Sequence, residues 1–134
     1  MKKAIIVVGL AFLAGLVQAQ GVVYKLRVSD WSCALNASGA MVAKGTVVNQ
    51  SGQTLNNVRI NLRVTDKEVT TVNGVPNRRV YATNSAPIAV RSLANGVSSR
   101  FEVQVKPTQS RNIQCQIWFR SPDMVQIPTR VPGQ

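Results

Sequence analysis

The chain has 134 residues, with 16 Lys plus Arg against 5 Asp plus Glu, two Cys and no His, for a formal net charge of +11. That length fits one domain, and the missing histidine removes Ser-His-acid and Cys-His nucleophiles, imidazole bases and His metal ligands. Five scattered acids offer no paired-carboxylate or calcium-loop spacing, so a non-enzymatic protein without cofactor or metal is expected.

Residues 1–19 follow the plan of a secretory signal. Lys2 and Lys3 form a positive start, Ala4 to Val17 an apolar run, and Val17-Gln18-Ala19 a small-residue cleavage site. The run is shorter than the roughly 20 apolar residues a membrane-spanning helix needs, and no later stretch is longer. Removing the two leader lysines leaves 14 basic against 5 acidic side chains, a net +9, and ten of the 14 are arginines. The basicity therefore belongs to the folded domain. Arginine suits bidentate contact with carboxylate or phosphate better than lysine does, although a charged surface also serves solubility alone.

From Tyr24 onward the dominant period is two, which predicts strands with one buried face and no helix. In chain order the expected strands are Val22 to Val28, Trp31 to Leu35, Met41 to Val48, Val58 to Thr65, Val69 to Val72, Arg78 to Thr83, Pro87 to Val90, Arg100 to Lys106 and Ile113 to Arg120. The strand at 58–65 points Val58, Ile60, Leu62 and Val64 to a core and Arg59, Asn61, Arg63 and Thr65 to water. Phe101, Val103 and Val105 point inward, as do Ile113, Cys115, Ile117 and Phe119, which leaves Trp118 and Arg120 outward. Turn chemistry separates the runs at 36–39, 49–52, Asn73-Gly74 and Asn95-Gly96. About seven antiparallel strands in one domain argue for an Ig-like or fibronectin-like β-sandwich over residues 20–121, with a small closed barrel as the alternative. The tail, 122–134, carries three prolines and should be frayed or laid along a surface.

An even cysteine count in an exported chain is most simply one disulfide, here Cys33 to Cys115, closing a loop of about 82 residues. A free thiol or a bridge to another chain is the alternative. Trp31 shares the strand parity of Cys33 and is expected to pack in the core beside it.

Residues 44–66, KGTVVNQSGQTLNNVRINLRVTD, resemble the strand, turn, strand core of small extracytoplasmic bacterial β-sandwich domains of the FxLYD type. Leu93, Gly96 and Phe101 in RSLANGVSSRFEVQV are similar to the stretch with which such domains finish. Where that family has Phe-x-Leu-Tyr-Asp, this chain reads Leu62-Arg63-Val64-Thr65-Asp66 and lacks both aromatics. The resemblance implies an accessory or adhesion-like module and names no ligand.

The remaining signal is a surface. If the strand at 57–65 lies beside either C-terminal strand, Arg59, Arg63, Lys106, Trp118 and Arg120 can share one cationic face, with Arg78 and Arg79 adjacent in sequence as a second basic pair. Trp and Arg together suit an interface or the anionic groups of a ligand; a solvated face with Trp118 covered by the tail is the plainer alternative. The expected function is an exported structural or interaction protein, an accessory subunit of a bacterial envelope assembly in the periplasm or at the cell surface, with an envelope protein as partner. The alternative is a basic binding module for an anionic polymer such as lipopolysaccharide, teichoic acid or extracellular DNA. Nucleic acid is the weakest ligand, because export removes the protein from most of it and no recognition motif is present.

Overall fold

Alternating sequence becomes sheet throughout residues 21–134, the residues described by a computed structural model; the leader expected at 1–19 lies outside them. Twelve strands follow in chain order: β1 (Leu26–Leu35), β2 (Met41–Asn49), β3 (Leu55–Asn56), β4 (Arg59–Asp66), β5 (Thr70–Val72), β6 (Val75–Asn77), β7 (Val80–Pro87), β8 (Ser92–Leu93), β9 (Ser98–Val105), β10 (Ile113–Ser121), β11 (Met124–Ile127) and β12 (Thr129–Arg130). Eight of them build two four-stranded sheets, β12-β1-β2-β9 and β11-β10-β4-β7, and the other four form two short ribbons, β3-β8 and β5-β6. The fold is an all-β sandwich. Its strands outnumber the seven expected because the ribbons and the two tail strands carry too few residues for a readable period.

Each sheet turns one face to a shared core. Leu26, Val28, Met41, Ala43, Val47, Phe101 and Val103 come from the first sheet, and Ile60, Leu62, Val64, Ile117, Phe119 and Ile127 from the second. The rings of Phe101 and Phe119 meet edge to face across the gap, with centroids 5.3 Å apart and planes at 86°. A disulfide joins Cys33 on β1 to Cys115 on β10, so the staple links the two sheets rather than neighbouring strands.

Two expected strands, 22–28 and 31–35, form the single strand β1. A register shift between Val28 and Asp30 breaks its parity: Leu26 and Val28 are buried before it, and Trp31 and Cys33 pack against the core after it. Such a bulge inserts one unpaired residue and turns the following side chains over. The segment opposite the bulge demands glycine. Trp31 pairs with Gly45, and a Cβ on Gly45 would lie 2.8 Å from both Cα and Cβ of Trp31 and closer still to the carbonyl oxygen of Asp30.

The tail is structural. β11 extends the second sheet by pairing with β10, and after Pro128 the chain crosses to the first sheet, where β12 runs parallel to β1. This is the one parallel pairing among the described strands. Proline has no N–H to contribute to a ladder, and here its carbonyl accepts from the backbone N–H groups of Lys25 and Leu26 at 2.9 and 3.2 Å. Ile127 and Val131 enter the core, and the Trp31 indole N–H donates to the Pro132 carbonyl at 3.0 Å. Gln134 then caps an open strand edge. Its carboxamide accepts from the N–H of Ile117 and donates to the carbonyl of Ile117, both at 2.9 Å. On the opposite side, Asn84 Nδ2 donates to the Gln104 carbonyl at 2.7 Å and joins β7 to β9.

Candidate functional site

β4 is the centre of the outward face of the second sheet, and its neighbours are fixed by register. Arg59 lies opposite Arg120 on β10 and Pro87 on β7; Asn61 lies opposite Trp118 and Ser85; Arg63 lies opposite Gln116 and Thr83. Arg59, Arg63, Trp118 and Arg120 thus share one face, as expected if β4 pairs with the last long strand. The guanidinium carbon of Arg63 is 5.0 Å from the centroid of the Trp118 ring, within the range of a cation–π contact. Arg120 Nε donates to Asn61 Oδ1 at 3.3 Å and Arg59 Nη2 donates to Ser85 Oγ at 3.2 Å. All three arginines rest on neutral partners.

This face is less wet than alternation predicts. Asn61 is 8% exposed and Thr65 1%, because a central strand is flanked by long side chains whose stems lie along the sheet. Trp118 is half-buried and shares a groove with Arg63, Gln116, Gln126 and Gln134. The Nδ2 of Asn61 is buried without a hydrogen-bond acceptor. A buried donor left unpaired is uncommon and costly.

At the Arg59 end of this face the surface opens into a groove of about 360 Å³ lined by Asn57, Arg59, Pro87, Arg91, Arg120, Ser121 and Pro122. Arg91 is the member that sequence reasoning missed. It follows the expected strand at 87–90 with no periodic signal of its own, and only the β3-β8 ribbon, pairing Leu55 with Leu93, brings it beside the start of β4. Asn57 adopts a left-handed conformation, φ 55°, which asparagine tolerates better than most residues. Its N–H donates to the Arg91 carbonyl at 2.8 Å, and its Oδ1 accepts from Arg91 Nε at 3.2 Å. Three arginines therefore line one concavity whose lining contains no carboxylate.

The other basic candidates lie elsewhere. Lys106 follows β9, in the other sheet, and its Cε is 3.7 Å from where a Cβ on Gly39 would stand, over the β1–β2 turn. Arg78 and Arg79 sit at the neck of the β5-β6 hairpin, at the Asp66 end of β4. Arg78 Nη1 donates to the carbonyls of Asp66 and Lys67 at 2.9 and 3.0 Å, and the Arg79 N–H donates to Asp66 Oδ2 at 3.1 Å. Arg78 is thus engaged in closing a loop.

The Tyr81 hydroxyl donates to Asp66 Oδ1 at 2.5 Å. This bond is the main reason the Asp66 carboxyl sits below its ordinary range; partial desolvation opposes it, while the Arg79 N–H and the charges of Arg79 and Arg78 reinforce it. The same bond, with desolvation and the Asp66 charge behind it, raises Tyr81. The Asp66 contribution to stability is therefore complete above the unfolded carboxyl value of about 3.9 and is lost as pH falls through the lower folded value. The Tyr81 contribution is complete below about 10 and is lost as pH rises through its raised value. Asp66→Asn should flatten the acid limb of a plot of melting temperature against pH below about 4; an acid limb identical to that of the parent protein would show that Asp66 is not responsible.

No family model matches the sequence, and no curated protein matches it. Among solved structures the chain is similar to DesR, a beta-glucosidase from Streptomyces venezuelae, with 13% identity and a TM-score of 0.41 over 76% of this chain and 15% of that one. It is also similar to a beta-glucosidase from Listeria innocua, with 16% identity and a TM-score of 0.36 over 81% of this chain and 16% of that one. The chain spans less than a fifth of the length of these enzymes, and a likeness at this level assigns no activity. Among the described residues, no helix is long and apolar enough to cross a membrane.

Proposed function

We propose that this protein is an exported, non-enzymatic binding module that holds a phosphate-bearing envelope polymer against the outward face of its second sheet. The observation that carries this reading is the gathering of Arg59, Arg63 and Arg120 on one rigid face with Trp118, each resting on an uncharged partner. Guanidinium groups without carboxylate partners keep their full charge for a ligand, and charge-assisted hydrogen bonds to phosphate oxygens are among the stronger ones available. Strands of a disulfide-linked sandwich hold such groups more precisely than loops do. The charge remaining after the leader is removed, 14 basic against 5 acidic groups, draws anionic polymers of any kind toward the surface; the placed arginines supply the site.

A second reading, docking onto an envelope protein, is favoured by the β5-β6 hairpin. Its Val69, Val72 and Val75, with Val80 just beyond it, are 46–60% exposed, and clustered apolar exposure of this kind marks protein interfaces. The test is retention of the protein on immobilised lipopolysaccharide across a range of salt. The first reading expects release by salt; a stoichiometric protein partner recovered by crosslinking in native cells, with no retention on polymer at low salt, would replace it with the second.

A further inference from the structure

We infer that the groove formed by Arg59, Arg91 and Arg120 is a receptor for a terminal phosphomonoester, distinguishing it from the phosphodiesters of a polymer backbone. The inference rests on the anion-binding reading above and specifies which group of the anion is held, and where.

The groove is rich in donors and poor in acceptors. Arg59 comes from β4, Arg120 from β10 and Arg91 from the loop before β8, so the three arginines that line the groove reach it from three segments. Asn57 and Ser85 each take one hydrogen bond from this set, through Arg91 and Arg59. Behind Arg120, Asn61 accepts from Nε while its own Nδ2 finds no acceptor. What the cluster lacks is a set of oxygens that only accept.

A phosphomonoester supplies them. It presents three strong acceptor oxygens and a charge of about −1.5 to −2 at pH 7, with a second pKa of about 6. Each guanidinium can address an oxygen in a planar, bidentate manner that an ammonium cannot reproduce. A diester has two free oxygens and a single charge, so it offers three arginines fewer acceptor sites and less charge to neutralise. Pro87 and Pro122 form another part of the wall with no N–H to donate, which suits the organic part of the ester rather than a second charged group. Asn57 and Ser121 are the remaining lining residues and neither titrates near neutrality; Asp123 follows Pro122 in the chain but does not line the groove. The pH dependence of binding should therefore follow the phosphate: affinity rises as pH increases through about 6, where the second proton leaves the ester.

The experiment is an NMR titration of the folded, oxidised protein with phenyl phosphate and, separately, with dimethyl phosphate, following the guanidinium Nε–H signals. Phenyl phosphate should move the signals of Arg59, Arg91 and Arg120, bind about tenfold more tightly than the diester and weaken below pH 6. Arg91→Ala should lose about tenfold in affinity for phenyl phosphate, whereas Arg111→Ala, which removes an exposed charge elsewhere, should leave it unchanged. Equal affinity for the two esters, or equal losses in the two variants, would overturn the inference, since either result reduces the groove to general positive charge. The outcomes separate the two claims. Salt-released retention on polymer without monoester preference removes the receptor and leaves the broader reading, and monoester binding in the groove without retention on polymer does the reverse.

Discussion

Replacing Cys33 and Cys115 together with serine is expected to lower the stability of the fold by about 4.5 kcal/mol. The two residues are 82 positions apart and their Cα atoms are 6.4 Å apart, so the bridge closes most of the described chain into one loop. Long loops lose the most unfolded-state entropy when cross-linked, and the logarithmic dependence on length gives that figure. The bridge also joins β1 in one sheet to β10 in the other. Its loss should loosen the packing between layers rather than the pairing within either one. Thermal unfolding followed by circular dichroism should show a melting temperature lower by about 15 °C. A shift of under about 3 °C would mean that the core alone holds the sheets together.

Gly45→Ala is expected to cost about 3 kcal/mol or more, although it adds only one methyl group. The new Cβ would meet the backbone of Trp31 and the Asp30 carbonyl, and backbone cannot swing aside as a flexible side chain can. Accommodation would require separating β1 from β2 beside the bulge, where Gly45 also pairs with Phe101 on β9. The Trp31 indole, which bonds to Pro132 and helps hold the tail, would be displaced with it. Urea unfolding should show a reduced midpoint for Gly45→Ala, whereas Lys44→Ala, at the exposed neighbouring position, should remain within about 0.5 kcal/mol of the parent. Equal midpoints for the two variants would mean that the strands separate there without cost.

The long strands were legible because alternation over eight or more residues has little competition. β4, β9 and β10 appear where Val58 to Thr65, Phe101 to Val105 and Ile113 to Phe119 place them. The disulfide follows from the even cysteine count, and the shared parity of Trp31 and Cys33 survives because the bulge precedes both residues. That bulge was not readable, since one inserted residue leaves no compositional mark. The expected strand at 78–83 becomes β7, Val80–Pro87, whose pairing with β4 carries a register shift of its own, while the strand expected at 87–90 does not form beyond Pro87. The tail was hidden for a different reason. Prolines argue against a central strand, but two short edge strands on either side of Pro128 satisfy that rule and still pair with both sheets.

Half of the candidate face could be read from sequence. Arg59, Arg63, Trp118 and Arg120 share it because pairing β4 with β10 fixes their parity together. Lys106 does not join them, since β9 pairs with β2 and belongs to the other sheet. Arg91 could not be anticipated, because its position depends on a two-residue ribbon between segments almost forty residues apart. The orphaned donor of Asn61 was equally hidden, as alternation assigns that residue to water.

Under the proposed function, placed arginines rather than net charge hold the ligand. The most direct measurement is affinity for immobilised lipopolysaccharide at a series of salt concentrations, for the parent protein and for Arg59→Ala, Arg63→Ala and Arg120→Ala. Affinity is expected to fall linearly with salt on logarithmic axes, with a slope smaller by about one for each arginine removed from the face. The proposed function would be contradicted by binding indifferent to salt, by no binding at low salt, or by slopes that change as much when Arg111 is removed.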